Sequence, residues 1–307
     1  MSGFLRGALL AAALLLLVPV AQAAGATISY TTGTAGIWTV PSSGGSPTLI
    51  ANRGALAAWS PNGRQIAYVS GHTLYVAKAN GKGAKRIATL PSGPPGAVAT
   101  PLPSGGPPDW SPDGKQILVA APSGDVLAVP AKGGKARTVV SLSTSAWISP
   151  MGHPVWAPDG KSIYYLVTLQ ALSADVAVYG VANLSLSPGA QPKQISASLP
   201  AAPTGFWTLE PYSLAISPDG GTLAVTYANR IAQGAQPLGY GIGLLASSGG
   251  GAVTMLPGYS AAAFSPDGTQ FCANADAGGL AIITPTGGLA STIVPASAAP
   301  VGCAWRP

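Results

Sequence analysis

The side chains able to do chemistry are few in this sequence. Only nine acids occur among 307 residues. Asp113, Asp159, Asp219 and Asp267 recur in one setting, Pro-Asp-Gly, where Asn62 stands in a fifth copy. The remaining five, Asp109, Asp125, Asp175, Glu210 and Asp276, are widely spaced. A general acid–base pair needs two carboxylates at one bond. Nothing in the spacing points to such a pair. His72 and His153 stand alone, without the H-E-x-x-H spacing that puts two imidazoles on one metal, so no metal site is expected. There is no G-x-S-x-G elbow and no G-x-x-x-x-G-K-[ST] phosphate loop. No catalytic residue, metal or cofactor is therefore assigned.

The recurring acids belong to a turn. It reads Trp59-Ser-Pro-Asn-Gly63, Trp110-Ser-Pro-Asp-Gly114, Trp156-Ala-Pro-Asp-Gly160, Ile216-Ser-Pro-Asp-Gly220 and Phe264-Ser-Pro-Asp-Gly268, and Trp305-Arg-Pro307 truncates a sixth copy. Proline presets φ, Asp or Asn bonds its own backbone, and glycine accepts a positive φ. Asn62, Asp113, Asp159, Asp219 and Asp267 are thus assigned to structure. The most visible motif is the poorest active-site candidate.

What surrounds each turn also repeats. A β-branched, apolar run follows it: Ile66–Val69, Ile117–Ala120, Ile163–Leu166, Leu223–Thr226, Phe271–Asn274. A second run, a Gly-rich turn and a third run complete each unit, in the manner of buried short strands. Successive anchors lie 51, 46, 60, 48 and 41 residues apart, lengths that suit one propeller blade. The expected fold is all-β: a six-bladed propeller of four-stranded antiparallel blades. The chain begins with three strands (Thr27–Thr31, Ile37–Val40, Thr48–Ala51) and ends with one, Val301–Trp305. The C-terminal strand is therefore expected to join the N-terminal three and close the ring, removing open sheet edges.

At these residues the chain resembles the TolB-like propellers, a WD-repeat-like family. The resemblance covers about residues 27 to 307 and rests on the repeated W-S-P-D-G and the I-A-Y-type strand after it. It implies the propeller fold. TolB proper carries an additional N-terminal domain, whereas here the first strand follows closely on the leader, so a Tol–Pal envelope role is not carried over.

Charged residues make up only 8% of the chain, with 41 Gly and 30 Pro. That composition fits short strands and turns and excludes disorder, which needs low hydrophobicity and high charge. Arg6, the apolar run Ala8–Val20 and Ala21-Gln22-Ala23 read as a cleaved signal peptide over residues 1–23, leaving one domain over 24–307. A periplasmic or extracellular location follows, and no nucleic-acid role is expected despite the formal charge of +6. Cys272 and Cys303 fall on adjacent blades. They are either a disulfide pinning the ring closure or two buried thiols.

The two faces of the expected ring differ. The long connections, Pro91 to Pro108, Ser141 to His153, Ser198 to Pro211 and Ala228 to Gly239, share one face. Long loops on a rigid scaffold usually carry function. Trp147, Met151, His153, Phe206, Trp207, Glu210, Tyr212, Arg230 and Tyr240 lie in or beside them and form the candidate binding surface. Singly, any of these aromatics could instead pack a loop onto the ring. The opposite face gathers Arg64, Lys82, Lys85, Arg86, Lys115, Lys132, Lys135, Arg137, Lys161 and Lys193 at its turns. This is solvated turn charge or a weak contact for an anionic surface. The expected function is an exported, monomeric, non-catalytic scaffold that binds a protein or peptide through the long-loop face. The alternatives are a funnel-site hydrolase or lyase on a polysaccharide, or a structural envelope component.

Overall fold

The computed structural model describes residues 26–32, 36–92, 106–141, 149–171, 177–195, 208–230, 239–250 and 253–307. They form six four-stranded antiparallel sheets. Blade 1 comprises β1 (Thr27–Thr32), β2 (Ile37–Pro41), β3 (Thr48–Ala51) and β24 (Pro300–Trp305). Blade 2 comprises β4 (Ala55–Trp59), β5 (Gln65–Ser70), β6 (Thr73–Lys78) and β7 (Lys85–Thr89). Blade 3 comprises β8 (Asp109–Trp110), β9 (Gln116–Ala120), β10 (Val126–Pro130) and β11 (Arg137–Val140). Blade 4 comprises β12 (Ser149–Trp156), β13 (Ser162–Ala171), β14 (Ala177–Ser185) and β15 (Lys193–Gln194). Blade 5 comprises β16 (Thr208–Ile216), β17 (Thr222–Arg230), β18 (Gly239–Ala246) and β19 (Thr254–Pro257). Blade 6 comprises β20 (Tyr259–Phe264), β21 (Phe271–Ala275), β22 (Leu280–Ile283) and β23 (Leu289–Val294).

The first blade is built from both chain ends. β24 pairs antiparallel with β1, setting Ile28 opposite Trp305 and Tyr30 opposite Cys303. A disulfide joins Cys272 of β21 to Cys303, with the Cα atoms 6.2 Å apart, so blade 6 is bonded to the closing strand. Arg306 adds a third link. Its Nε donates to Gly63 O at 2.8 Å, and its guanidinium lies 5.3 Å from the centre of the Trp59 ring.

The core is a ring of six apolar layers, one at each blade-to-blade interface. Leu74, Val76 and Leu90 of blade 2 meet Trp110, Ile117 and Val119 of blade 3, and the same pattern repeats around the circle. Both faces of each sheet are thereby covered, which is why the middle strands read as continuous apolar runs rather than alternating ones. Burying one such Leu or Ile contributes about 1.5–3 kcal/mol.

The Ser-Pro-Asp-Gly turns are cassettes of side-chain bonds. In the copy at 111, Ser111 Oγ donates to Asp113 Oδ1 (2.7 Å), Lys115 N donates to the same oxygen (3.0 Å), and Gln116 N donates to Ser111 Oγ (2.9 Å). The copies at 60, 217 and 265 repeat all three bonds. In the copy with Ala157, only Lys161 N to Asp159 Oδ1 (2.9 Å) is formed. The glycines serve a second purpose. Gly220 and Gly268 have φ of +75° and +72°, and a Cβ on either would lie 3.4 Å from the turn proline of the preceding blade. The motif therefore turns the chain and packs one blade's turn over its neighbour's.

Candidate functional site

The inner strands β4, β8, β12, β16, β20 and β24 surround an axial cavity of about 1100 Å³. The turn prolines Pro61, Pro218, Pro266 and Pro307 stand at one end. Pro107, His153, Tyr240 and Asp276 stand toward the other, on the side of the long connections. Between them the wall is made largely of small residues, including Ala58, Ala215, Ala263 and Ala304. These four occupy one register, the position before the large anchor residue of each unit. In blade 4 that register holds Val155, and in blade 3 it holds Asp109.

Asp109 is thus a single carboxylate in a ring of otherwise apolar side chains. It reaches across to the next blade, where Trp156 N donates to its Oδ2 at 2.7 Å. Part of the group opens on the lumen, but protein encloses it on its other sides. That burial pushes its pKa up to about 7, against hydrogen bonds from Trp156 N and Trp110 N that favour the charged form. Asp276 is the second acid of the lining. It is exposed, and Tyr240 N donates to its Oδ2 at 3.0 Å, tying blade 6 to blade 5.

The inner strands carry a bulge three residues before the anchor. His153, Ala261 and Gly302 occupy equivalent positions with φ of 53°, 52° and 59°, beside register shifts in β12, β20 and the β1–β24 pair. A left-handed residue with a Cβ costs roughly 1–2 kcal/mol, so glycine suits the position and the other two are strained. The bulge lets the inner strand bend around the axis. His153 is 5% exposed, and its ring lies against Gly106, where any Cβ would clash with it. It is a packed residue of the channel wall, beside the long connection in which the sequence placed it.

The long connections need a wider correction. The inner three strands of blades 4 and 5 have 8 to 10 residues, while those of blades 2 and 3 run to 6 at most. The extra residues lie on the long-loop side. At about 3.3 Å per residue, four more raise a wall roughly 13 Å high beside the channel mouth. Much of what reads as loop from Ser149 to His153, Thr208 to Pro211 and Ala228 to Arg230 is strand. Met151 lies in β12, and Glu210 and Tyr212 in β16. Arg230 ends β17 opposite Thr208, and Glu210 pairs with Ala228. Tyr240, at the start of β18, is half-buried and lines the cavity. Blades 4 and 5 thus bring Met151, His153, Glu210, Tyr212, Arg230 and Tyr240 onto two adjacent sheets. Trp147, Phe206 and Trp207 lie outside the described residues.

Sequence reasoning left Asp109 and Asp276 unassigned. The signal for Asp109 was its register: an acid one residue before Trp110, where the other units carry alanine or valine. On the turn face all ten basic residues are exposed. Among the described residues one ion pair occurs there, Lys115 Nζ to Asp113 Oδ2 at 3.2 Å. No group of three or more His, Cys, Asp or Glu able to hold a metal gathers among the described residues.

No family model and no curated protein matches the chain. Solved structures do. A chain of a nidogen/laminin complex superposes with a TM-score of 0.66 at 10% identity, covering 92% of this chain and 99% of that one. A putative TolB from Agrobacterium tumefaciens gives 0.53 at 13%, covering 77% and 91%. A gluconolactonase, XC5397 of Xanthomonas campestris, gives 0.53 at 15%, covering 88% and 80%. These likenesses establish the fold: the chain is a six-bladed β-propeller, similar in architecture to a chain of a nidogen/laminin complex, to a putative TolB and to a gluconolactonase.

Proposed function

We propose that the protein is an exported, non-catalytic scaffold that binds a protein or peptide segment at the long-loop end of its axial channel. The observation that carries this reading is the 1100 Å³ cavity, walled by small apolar side chains and rimmed on one side by the extended sheets of blades 4 and 5. Cavities with an apolar body and a few placed polar groups are the usual form of a binding site. Trp59 and Trp305 line this one and report occupancy through their fluorescence.

The test is a fluorescence titration of the mature protein with a library of short end-blocked peptides. Wild type is compared with Tyr240→Ala and with the pair Trp147→Ala, Trp207→Ala. At least one peptide class binds, and the variants weaken it by tenfold or more at an unchanged melting temperature. Binding that ignores all three changes and disappears on altering the turn face overturns the reading.

A funnel enzyme is the second reading, favoured by the placement of the Asp109 carboxyl on the channel wall, where enclosure pushes its pKa up to about 7, the range in which an acid–base catalyst works best. The hydrogen bonds it accepts come from backbone N–H groups, and they engage it with no nucleophile. Turnover of a chromogenic lactone or glycoside that is lost in Asp109→Asn would establish this reading over the scaffold.

A further inference from the structure

The basic residues of this molecule gather mostly on its turn face. Lysine and arginine make up 15 residues against nine acids, yet among the described residues none lines the channel. Ten of the basic residues of blades 2 to 4 sit exposed at the turn face instead. Among the described residues the acids of the channel lining are Asp109 and Asp276. The lining also holds Asn274, whose Oδ1 is buried with no hydrogen-bond partner. Each carboxylate is held by a backbone N–H of the neighbouring blade, so its orientation is preset. A narrow lumen with low-dielectric walls concentrates the field of such groups. The space between them is apolar and several times the volume of one side chain.

We infer that the channel accepts a cationic group on an apolar stem, the ammonium or guanidinium of a lysine or arginine side chain offered by the bound segment. This rests on the peptide-binding reading above and names what that peptide carries. An ammonium brings three donors and no acceptor, which matches a lining rich in acceptors. The four-carbon stem of lysine lies along alanines while its head meets the acids, as amphipathic side chains do elsewhere. The cation also offsets the cost of ionising Asp109 in its enclosed position.

A pH dependence follows. With its carboxyl pushed up to about 7, Asp109 is largely protonated at pH 5.5 and charged at pH 8. The titratable groups sharing the lining are Asp276, His153, Tyr30 and Tyr240. Of the strands beside β8, neither β4 nor β9 brings a charged side chain, and β12 brings His153. His153 is the basic group of that lining, and Asp109→Asn separates its contribution from that of the carboxylate.

The experiment is calorimetric titration of the mature protein with three end-blocked alanine-based hexapeptides. They differ at one central residue: lysine, norleucine or glutamate. The expected result at pH 8 is that the lysine peptide binds at least tenfold more tightly than the norleucine peptide, and the glutamate peptide binds weakest. The lysine advantage shrinks several-fold at pH 5.5. It is lost in Asp109→Asn, Asp276→Asn, which still binds the norleucine peptide. If the double variant does not fold, the pH profile of wild type decides. Norleucine binding as tight as lysine overturns the cationic inference and leaves the peptide reading standing. Failure of all three peptides to bind overturns both.

Discussion

Asp109 shows how one residue departs from a repeat for a reason. The five equivalent positions are alanine or valine, and packing asks for nothing else there. A carboxylate in this ring is costly. In the folded state its pKa is raised to about 7, above the ordinary value of 3.8. The folded protein therefore holds this proton more tightly than the unfolded chain does, and stability falls as pH rises from about 4 to 7. Asparagine keeps the acceptor for Trp156 N and carries no charge. Asp109→Asn is expected to raise the melting temperature at pH 8, with the gain vanishing near pH 4, as measured by thermal unfolding across that range. A variant that melts lower than wild type at pH 8 would show the carboxylate to be stabilising. A destabilising residue kept at a channel wall is typical of a functional position.

At the scale of the element, the turn cassette was legible from residue types alone. Proline, Asp and glycine in order specify the turn, and the structure adds the serine that bonds both the aspartate and the following strand. The copy with Ala157 lacks those serine bonds. Ala157 is buried, as are the equivalent serines Ser60, Ser111, Ser217 and Ser265. Ala157→Ser restores two hydrogen bonds in a site already shaped for them. It is expected to stabilise by about 1 kcal/mol, and Ser217→Ala to destabilise by about as much, read from denaturant midpoints. The inner strands were less legible. Their bulges put a positive φ on histidine and alanine, residues that carry no such signature. The lengthened strands of blades 4 and 5 were hidden too. Runs such as Thr208-Leu-Glu-Pro211 mix polar residues and proline, which reads as loop. They extend because each pairs with a neighbouring strand, a tertiary effect outside local propensity.

At the scale of the whole molecule, the spacing of six anchors was enough to read a closed ring. An incomplete blade at each end allows few other solutions. Closure is secured by three different means: the β1–β24 pairing, the Cys272–Cys303 disulfide and the Arg306 contact with Gly63 and Trp59. Each belongs to residues 301 to 307. Removing those seven residues strips the inner strand from blade 1 and exposes the β1 edge. The truncated chain is expected to melt far below wild type or to aggregate, and an unchanged melting temperature would contradict the closure. Reduction of the disulfide alone is expected to cost about 3.7 kcal/mol, since it cross-links a 31-residue span.

The proposed ligand enters from the side of blades 4 and 5, not at the turns. Hydrogen exchange with and without the lysine hexapeptide tests this most directly. The expected result is slowed exchange in the inner strands around residues 213–216, 260–263 and 301–305, with the turns at 80–86 and 111–116 unchanged. Protection confined to those turns, with the inner strands unaffected, would contradict it.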